Sequence, residues 1–161
     1  MQVPVPTDSL LSRYSPDADD ALPHYTDCFN LSVGRSVSLA EFVRAFYTTY
    51  LFRAERLVLR LAGIRSADAD IDAMLKGTQQ SFAAWRVEDR GDAQLLMCDL
   101  NGRTRSWFMV SARGENGSNL YFGSAVIATD SGGPPTAYRL LLGLHRLYSR
   151  LLLAAAVRSL D

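Results

Sequence analysis

The chain has little with which to hold a metal ion or to form disulfide bonds. Its two cysteines, Cys28 and Cys98, are far apart among 161 residues, and neither belongs to a Cys-x-x-Cys pair. This spacing indicates neither a zinc site nor a disulfide framework. The sequence also contains no nucleophile motif and no phosphate-binding loop. We therefore expect no metal and no cofactor.

Net charge is absent as well, because 17 basic residues balance 17 acidic ones. A chain without a net field has no general attraction for nucleic acid or anionic lipid. Residues 1–6 lack the basic start and apolar run of a signal peptide, and charged residues interrupt the apolar C-terminal segment. We expect no nucleic-acid partner, no membrane span and a cytoplasmic location.

The N-terminal segment is rich in proline and aspartate and poor in apolar residues. Such a composition offers few groups to bury, so residues 1–20 are predicted to form a poorly ordered or loosely packed arm. The remaining length suits one core. Residues 21–161 are therefore predicted to form a single domain.

The next part of the chain predicts a strand followed by two helices. Aromatic and β-branched residues from Leu22 to Val33 suit a strand that ends before Gly34. Ser38 and Glu41 form a capping box, and apolar residues then recur at three- and four-residue steps as far as Gly63. A shorter helix is predicted over residues 66–76. Two helices thus separate the first strand from the second.

Four segments with strand composition follow the helices, over residues 82–89, 93–100, 103–112 and 120–128. Turn residues such as Asn101-Gly102 separate them, and Asn-Gly between apolar runs is a strong hairpin signal. Large apolar residues alternate with polar ones in these segments. The pattern predicts an antiparallel meander with one dry face.

The C-terminal segment, residues 137–160, predicts a long and unusually apolar helix. Arg139, Arg146 and Arg150 fall on one stripe, and the opposite side includes His145 and Tyr148. The apolar arc is much wider than a helix on the surface needs. We expect the sheet to enclose this helix, which gives an α+β fold.

This order of elements resembles the helix-grip layout of the START-like superfamily, also called SRPBCC, which includes the birch-pollen allergen and polyketide cyclases. The resemblance covers residues 22–160 and also rests on the Leu-Gly-Leu-His-Arg-Leu-Tyr-Ser-Arg-Leu-Leu-Leu segment, residues 142–153. It implies an antiparallel sheet wrapped around the long C-terminal helix. It also implies a cavity between sheet and helix that takes an apolar ligand.

Several residues are candidates for such a site. His145 on the enclosed helix face, with Tyr148 three residues further, could polarise a ligand or act as an acid–base pair. The aromatic residues Trp85, Trp107 and Tyr121 either line the cavity or simply fill the core. Arg105 either holds a ligand carboxylate at the cavity mouth or pairs with Asp99 or Glu88 on a neighbouring strand.

Three functions stay open at this level. The first is a protein that binds an apolar or aromatic small molecule between sheet and terminal helix. The second is a cyclase- or isomerase-like enzyme that uses His145 and tyrosines. The third is a structural protein with a filled core that associates with itself, for example as a homodimer. The volume of the cavity discriminates the first two from the third.

Overall fold

The computed structural model describes residues 1–15, 24–127 and 135–160. These residues form an α+β structure with one antiparallel sheet of six strands and a long C-terminal helix. The strands lie in the order β1-β6-β5-β4-β3-β2. Their bounds are β1 His24–Val33, β2 Ser81–Phe82, β3 Trp85–Gly91, β4 Gln94–Asp99, β5 Thr104–Arg113 and β6 Gly117–Ile127.

Five strands follow the helices where the sequence predicted four. The additional strand arises because the segment predicted over residues 82–89 is divided. Ala83 takes a left-handed backbone conformation, with φ of 51°, so the chain turns back and Phe82 pairs with Trp85. The other predicted hairpins are present, and Gly102 supplies the positive φ, 71°, that the turn between β4 and β5 requires.

Three helices, not two, lie between β1 and β2. They are α1 Leu39–Tyr47, α2 Tyr50–Leu61 and α3 Asp68–Leu75. The capping box predicted at Ser38 and Glu41 begins α1. The prediction of one continuous first helix was wrong because Thr49 interrupts it: its hydroxyl donates to the Phe46 carbonyl at 2.8 Å and accepts from the Phe52 amide at 3.2 Å. Thr49 thereby caps a new helix.

One face of the sheet, called here the inner face, packs against α1 and the C-terminal helix α4, Pro135–Leu160. Phe46 of α1 contacts Phe108 of β5 and Phe122 of β6, with ring centroids 4.9 and 4.5 Å apart. From α4, Leu152, Leu153 and Ala156 are buried in the same core. The inner face is therefore closed by side chains from the C-terminal half of α4, and the site described below lies beside the middle of that helix, between His145 and Leu152.

The opposite face, called the outer face, is covered by residues 1–15. The Val3 amide donates to the Cys28 carbonyl at 2.9 Å, and a 3-10 helix, Leu10–Tyr14, places Leu11 in full burial against Trp107. Gly123 makes room for Leu11, because a Cβ atom there would come within 2.5 Å of it. The expected loose arm is thus packed on the sheet as far as residue 15. Residues 16–20 and the predicted strand start at Leu22 lie outside the described residues.

Within the described parts of the chain, no helix combines the length and apolarity that crossing a membrane would require.

Candidate functional site

A cavity of about 710 Å³ opens between the inner face of the sheet and helices α2 and α4. Its volume lies within the range typical of small-molecule sites. Most of the wall is aromatic or aliphatic. The rings belong to Phe46, Tyr47, Phe52, Trp85, Phe122 and Tyr148. Helix α2 contributes one side of the wall through Leu51, Ala54, Glu55 and Val58.

Three of the six residues predicted for the site line this cavity, and three do not. His145, Tyr148 and Trp85 are in its wall. Trp107 and Tyr121 belong to the outer face, where both pack in the cluster around Leu11. Their placement in the cavity was wrong because side chains alternate along β5 and β6, so the neighbouring positions, Ser106, Phe108 and Phe122, are the ones that face inward.

Arg105 is also on the outer face, so it is not at the cavity mouth. Its guanidinium contacts the Glu88 carboxylate at 3.0 Å and lies 4.8 Å from the centre of the Tyr14 ring. Tyr14 in turn donates a short hydrogen bond to Glu88. The pairing with Glu88, one of the two alternatives drawn from the sequence, is therefore the one observed.

A chain of hydrogen bonds leads from the sheet to His145. Asp27 of β1 and Ser124 of β6 are register partners, and both are almost completely buried. The Ser124 hydroxyl donates to Asp27 Oδ1 at 2.5 Å, and the Ser124 amide donates to the same oxygen at 3.2 Å. His145 Nε2 lies 2.7 Å from Ser124 Oγ.

This arrangement fixes the tautomer of His145. A serine hydroxyl has one hydrogen, and Ser124 gives it to the Asp27 carboxylate, so its oxygen accepts from His145 Nε2–H. In the neutral ring Nδ1 is then the nitrogen that can take up a proton. Burial lowers the pKa of His145 below its ordinary value, although the charge of Asp27 acts in the opposite direction.

The other side of Asp27 faces a tyrosine–arginine pair. Tyr25 donates to Asp27 Oδ2 at 3.0 Å. Arg146 donates a short hydrogen bond to the Tyr25 hydroxyl, and its guanidinium lies 5.0 Å from the centre of that ring. Burial raises the pKa of Tyr25 to about 12, so the phenol keeps its hydrogen for Asp27. Three donors thus stabilise the buried carboxylate.

A second polar pair joins α2 to α4 across the cavity. The Tyr148 hydroxyl donates to Glu55 Oε2 at 2.5 Å. Burial raises the pKa of the Glu55 carboxyl, and the hydrogen bond from Tyr148 partly offsets this. The pKa of Tyr148 is raised by its burial and by the nearby carboxylate. Glu55 is therefore a carboxyl group that takes up a proton more readily than one in water.

Two further side chains in the wall have buried donor atoms that find no acceptor among the described residues. These atoms are the hydroxyl of Tyr47, a residue 1% exposed, and Nε1 of Trp85. A buried donor without a partner is uncommon in folded proteins and costs about 1 to 3 kcal/mol. Burial, followed by the charge of Glu55, raises the pKa of Tyr47, so its hydroxyl stays protonated.

Sequence reasoning missed Asp27, Ser124 and Glu55, although the sequence carried a signal for two of them. Asp27 occupies a position in β1 whose alternate neighbours, Phe29 and Leu31, face the core. Glu55 lies between Leu51 and Val58 at helical spacing, on the apolar stripe of α2. A carboxylate that interrupts an apolar periodicity is a candidate for a polar group in a cavity wall. Ser124 gave no comparable signal.

Comparisons with known proteins add little to this site. No family model matches the chain, and no curated protein matches it. Among solved structures, the chain aligns with an uncharacterised protein from Rhizobium leguminosarum over 84% of its own length and 97% of the other chain. The two are 9% identical, and the TM-score is 0.29. Similarity at this level carries no argument, so the function is inferred from the cavity.

Proposed function

We propose that the protein binds an apolar or aromatic small molecule in the cavity between the sheet and helices α2 and α4. The observation that carries this proposal is the cavity itself, about 710 Å³ of space walled by six aromatic rings. The cavity is partly open to solvent, so in the ligand-free protein its largely apolar wall is in contact with water. A bound apolar molecule would displace this water and make contacts with the wall.

We further propose that the fold is a helix grip of the START-like superfamily. Two features support this assignment: the strand order β1-β6-β5-β4-β3-β2, and a terminal helix that contacts β1 and β6 from the inner face. The residues of the cavity wall contributed by α4 belong to the segment on which the sequence resemblance rests. The ligand-binding proposal does not depend on this assignment, because it is argued from the cavity.

An acid–base enzyme is the second candidate, and the Asp27–Ser124–His145 chain favours it. Because Ser124 fixes the Nε2–H tautomer, Nδ1 could exchange a proton with a bound molecule, and Glu55 could exchange another. Such a pair suits an isomerisation, in which a proton leaves one carbon and returns at another. Deuterium uptake from D2O by the molecule bound to the protein distinguishes this candidate from simple binding.

Native mass spectrometry of protein purified without organic solvent tests the main proposal. We expect a retained molecule, which can be extracted and returned to ligand-free protein labelled with ¹⁵N. The two tryptophan indole N–H signals then report on the two faces of the sheet. Trp85 lines the cavity, whereas Trp107 donates to Gln94 at 2.9 Å on the outer face. We expect the Trp85 signal to shift and the Trp107 signal to remain unchanged. The Trp85→Phe variant assigns the two signals, because it retains only that of Trp107.

A ligand that moves the Trp107 signal and leaves the Trp85 signal unchanged would contradict binding in this cavity. Absence of a retained molecule, together with no response of Trp85 to a panel of aromatic and aliphatic compounds, would favour the structural alternative.

A further inference from the structure

The chemistry of the cavity wall limits what the ligand can be. Apart from His145, the ionisable side chains among the described lining residues are the carboxyls of Glu55 and Asp99 and the phenols of Tyr47 and Tyr148. None of these described residues is arginine or lysine. A carboxylate ligand would therefore meet no arginine or lysine among the described lining residues, and it would lie beside two carboxyl groups. The described part of the wall would not compensate the desolvation of its charge.

The wall nevertheless has hydrogen-bond donors that lack acceptors. The Tyr47 hydroxyl and Trp85 Nε1 are both shut off from solvent without a partner among the described residues. Tyr47 is held between aromatic neighbours, with ring centroids 4.7 Å from Phe52 and 5.0 Å from Phe82. These contacts keep the phenol at the wall although its hydroxyl is unsatisfied. An acceptor on the ligand would remove that cost.

We propose that the ligand is an uncharged aromatic molecule with a carbonyl-type acceptor that receives hydrogen bonds from Tyr47 and Trp85. This inference rests on the proposed binding function and names its ligand class. The flat rings of the wall favour a flat ligand, because stacked and edge-on ring pairs add to the energy of burial. Both donor atoms lie behind the cavity surface in the ligand-free protein. The Tyr47 hydroxyl lies on the axis of its ring, so binding requires both side chains to shift toward the cavity and not only their rings to rotate.

Three probes of nearly equal size test the ligand class: 2-acetylnaphthalene, 2-ethylnaphthalene and 2-naphthoate. They differ in having a neutral acceptor, no acceptor or a negative charge. Calorimetric titration of the full chain should show that the ketone binds about a hundredfold more tightly than the hydrocarbon, because each of the two net hydrogen bonds corresponds to a factor of about ten. The carboxylate should bind more weakly than either.

Tyr47→Phe gives the inference a second readout that a purely structural role would not produce. Removing an unsatisfied hydroxyl should raise the melting temperature of the ligand-free protein by about 2–4 °C. The same change should weaken the binding of the ketone by about tenfold and leave the affinity for 2-ethylnaphthalene unchanged. Tyr50→Phe is the matched control, because Tyr50 is 73% exposed, and it should change neither quantity.

The outcomes separate this inference from the proposed function. Equal binding of ketone and hydrocarbon, or tighter binding of the carboxylate, would overturn the ligand class and leave the binding function intact. A fall in melting temperature for Tyr47→Phe with unchanged ketone affinity would also overturn it. If none of the probes binds, the inference fails, and the proposed function is then decided by the retained molecule and the Trp85 signal.

Discussion

His145 and Glu55 are two titratable residues in one cavity whose pKa values burial moves in opposite directions. For His145, burial disfavours the charged imidazolium, so the pKa of the folded protein lies below the ordinary value of 6.5. For Glu55, burial disfavours the carboxylate, so the pKa lies above the ordinary value of 4.5. Each shift is also a statement about stability, because the unfolded chain keeps the ordinary values.

We expect two variants to change the pH dependence of stability in opposite senses. Below pH 6.5 the unfolded chain binds a proton on residue 145 more readily than the folded protein does, so the free energy of unfolding falls as the pH drops. The His145→Gln variant lacks this titrating group, so its free energy of unfolding should fall less than that of the wild type as the pH drops below 6.5. Above pH 4.5 the folded protein retains the Glu55 proton that the unfolded chain releases. Glu55→Gln should therefore gain relative stability as the pH rises.

Urea denaturation at a series of pH values measures both effects. A His145→Gln curve parallel to that of the wild type between pH 6.5 and 5 would contradict the neutral, buried imidazole.

At the scale of a secondary-structure element, α4 offers a test of how it packs. Leu152 is 3% exposed and faces the inner core, whereas its neighbour Leu151 is 46% exposed. Leu152→Ala should lower the free energy of unfolding by about 2 to 5 kcal/mol because it leaves a cavity. Leu151→Ala removes the same atoms from a half-exposed position and should cost less than about 1 kcal/mol. Chemical denaturation compares the two, and similar losses would mean that the helix is rotated.

The helices show how much of the secondary structure can be predicted from the spacing of apolar residues. The three- and four-residue spacing predicted helix from Leu39 to Leu61, but it runs unchanged across Thr48 and Thr49. Only the hydrogen bonds of the Thr49 hydroxyl distinguish a capped break from a continuous helix, and these depend on the local backbone. The predicted second helix corresponds to α3, Asp68–Leu75, within one or two residues at each end.

The predicted site shows what the spacing of apolar residues cannot predict. Alternation along a strand divides its residues into two faces, but it does not say which face carries the cavity. With one dry face expected, Trp85 and Trp107 were assigned to the same side. Both faces of the sheet are in fact buried, because residues 1–15 cover the outer one. Contacts so distant in sequence, such as the one between Leu11 and Trp107, leave no periodic signal in a single chain.

At the scale of the whole molecule, the N-terminal segment is part of the core. Deleting residues 1–15 would expose Leu96, Trp107 and Ala125, and it would leave Gln94 without the Leu10 amide and the Asp8 carbonyl. We expect the truncated chain to lose several kcal/mol of stability, as expected when large apolar side chains lose their cover. Melting curves of the two lengths measure this, and an unchanged transition would contradict the packing. Leu11→Ala should cost about 2 to 5 kcal/mol by itself.

The way in which helix α2 is attached affects how fast a ligand could enter and leave the cavity. Phe52 is the fully buried side chain of this helix, and Leu57, Val58 and Leu61 are more than half exposed. The Phe52 ring packs against Tyr47 and Phe82. Polar attachments of α2 are the Tyr148–Glu55 hydrogen bond, the contacts of Arg56 with Ser66 and Asp68, and the Arg53–Asp68 ion pair. With one buried side chain and its polar bonds near the surface, α2 is an element for which we expect local opening to cost less than unfolding of the core. Entry and release would then be timed by this local opening, with association slower than diffusional encounter.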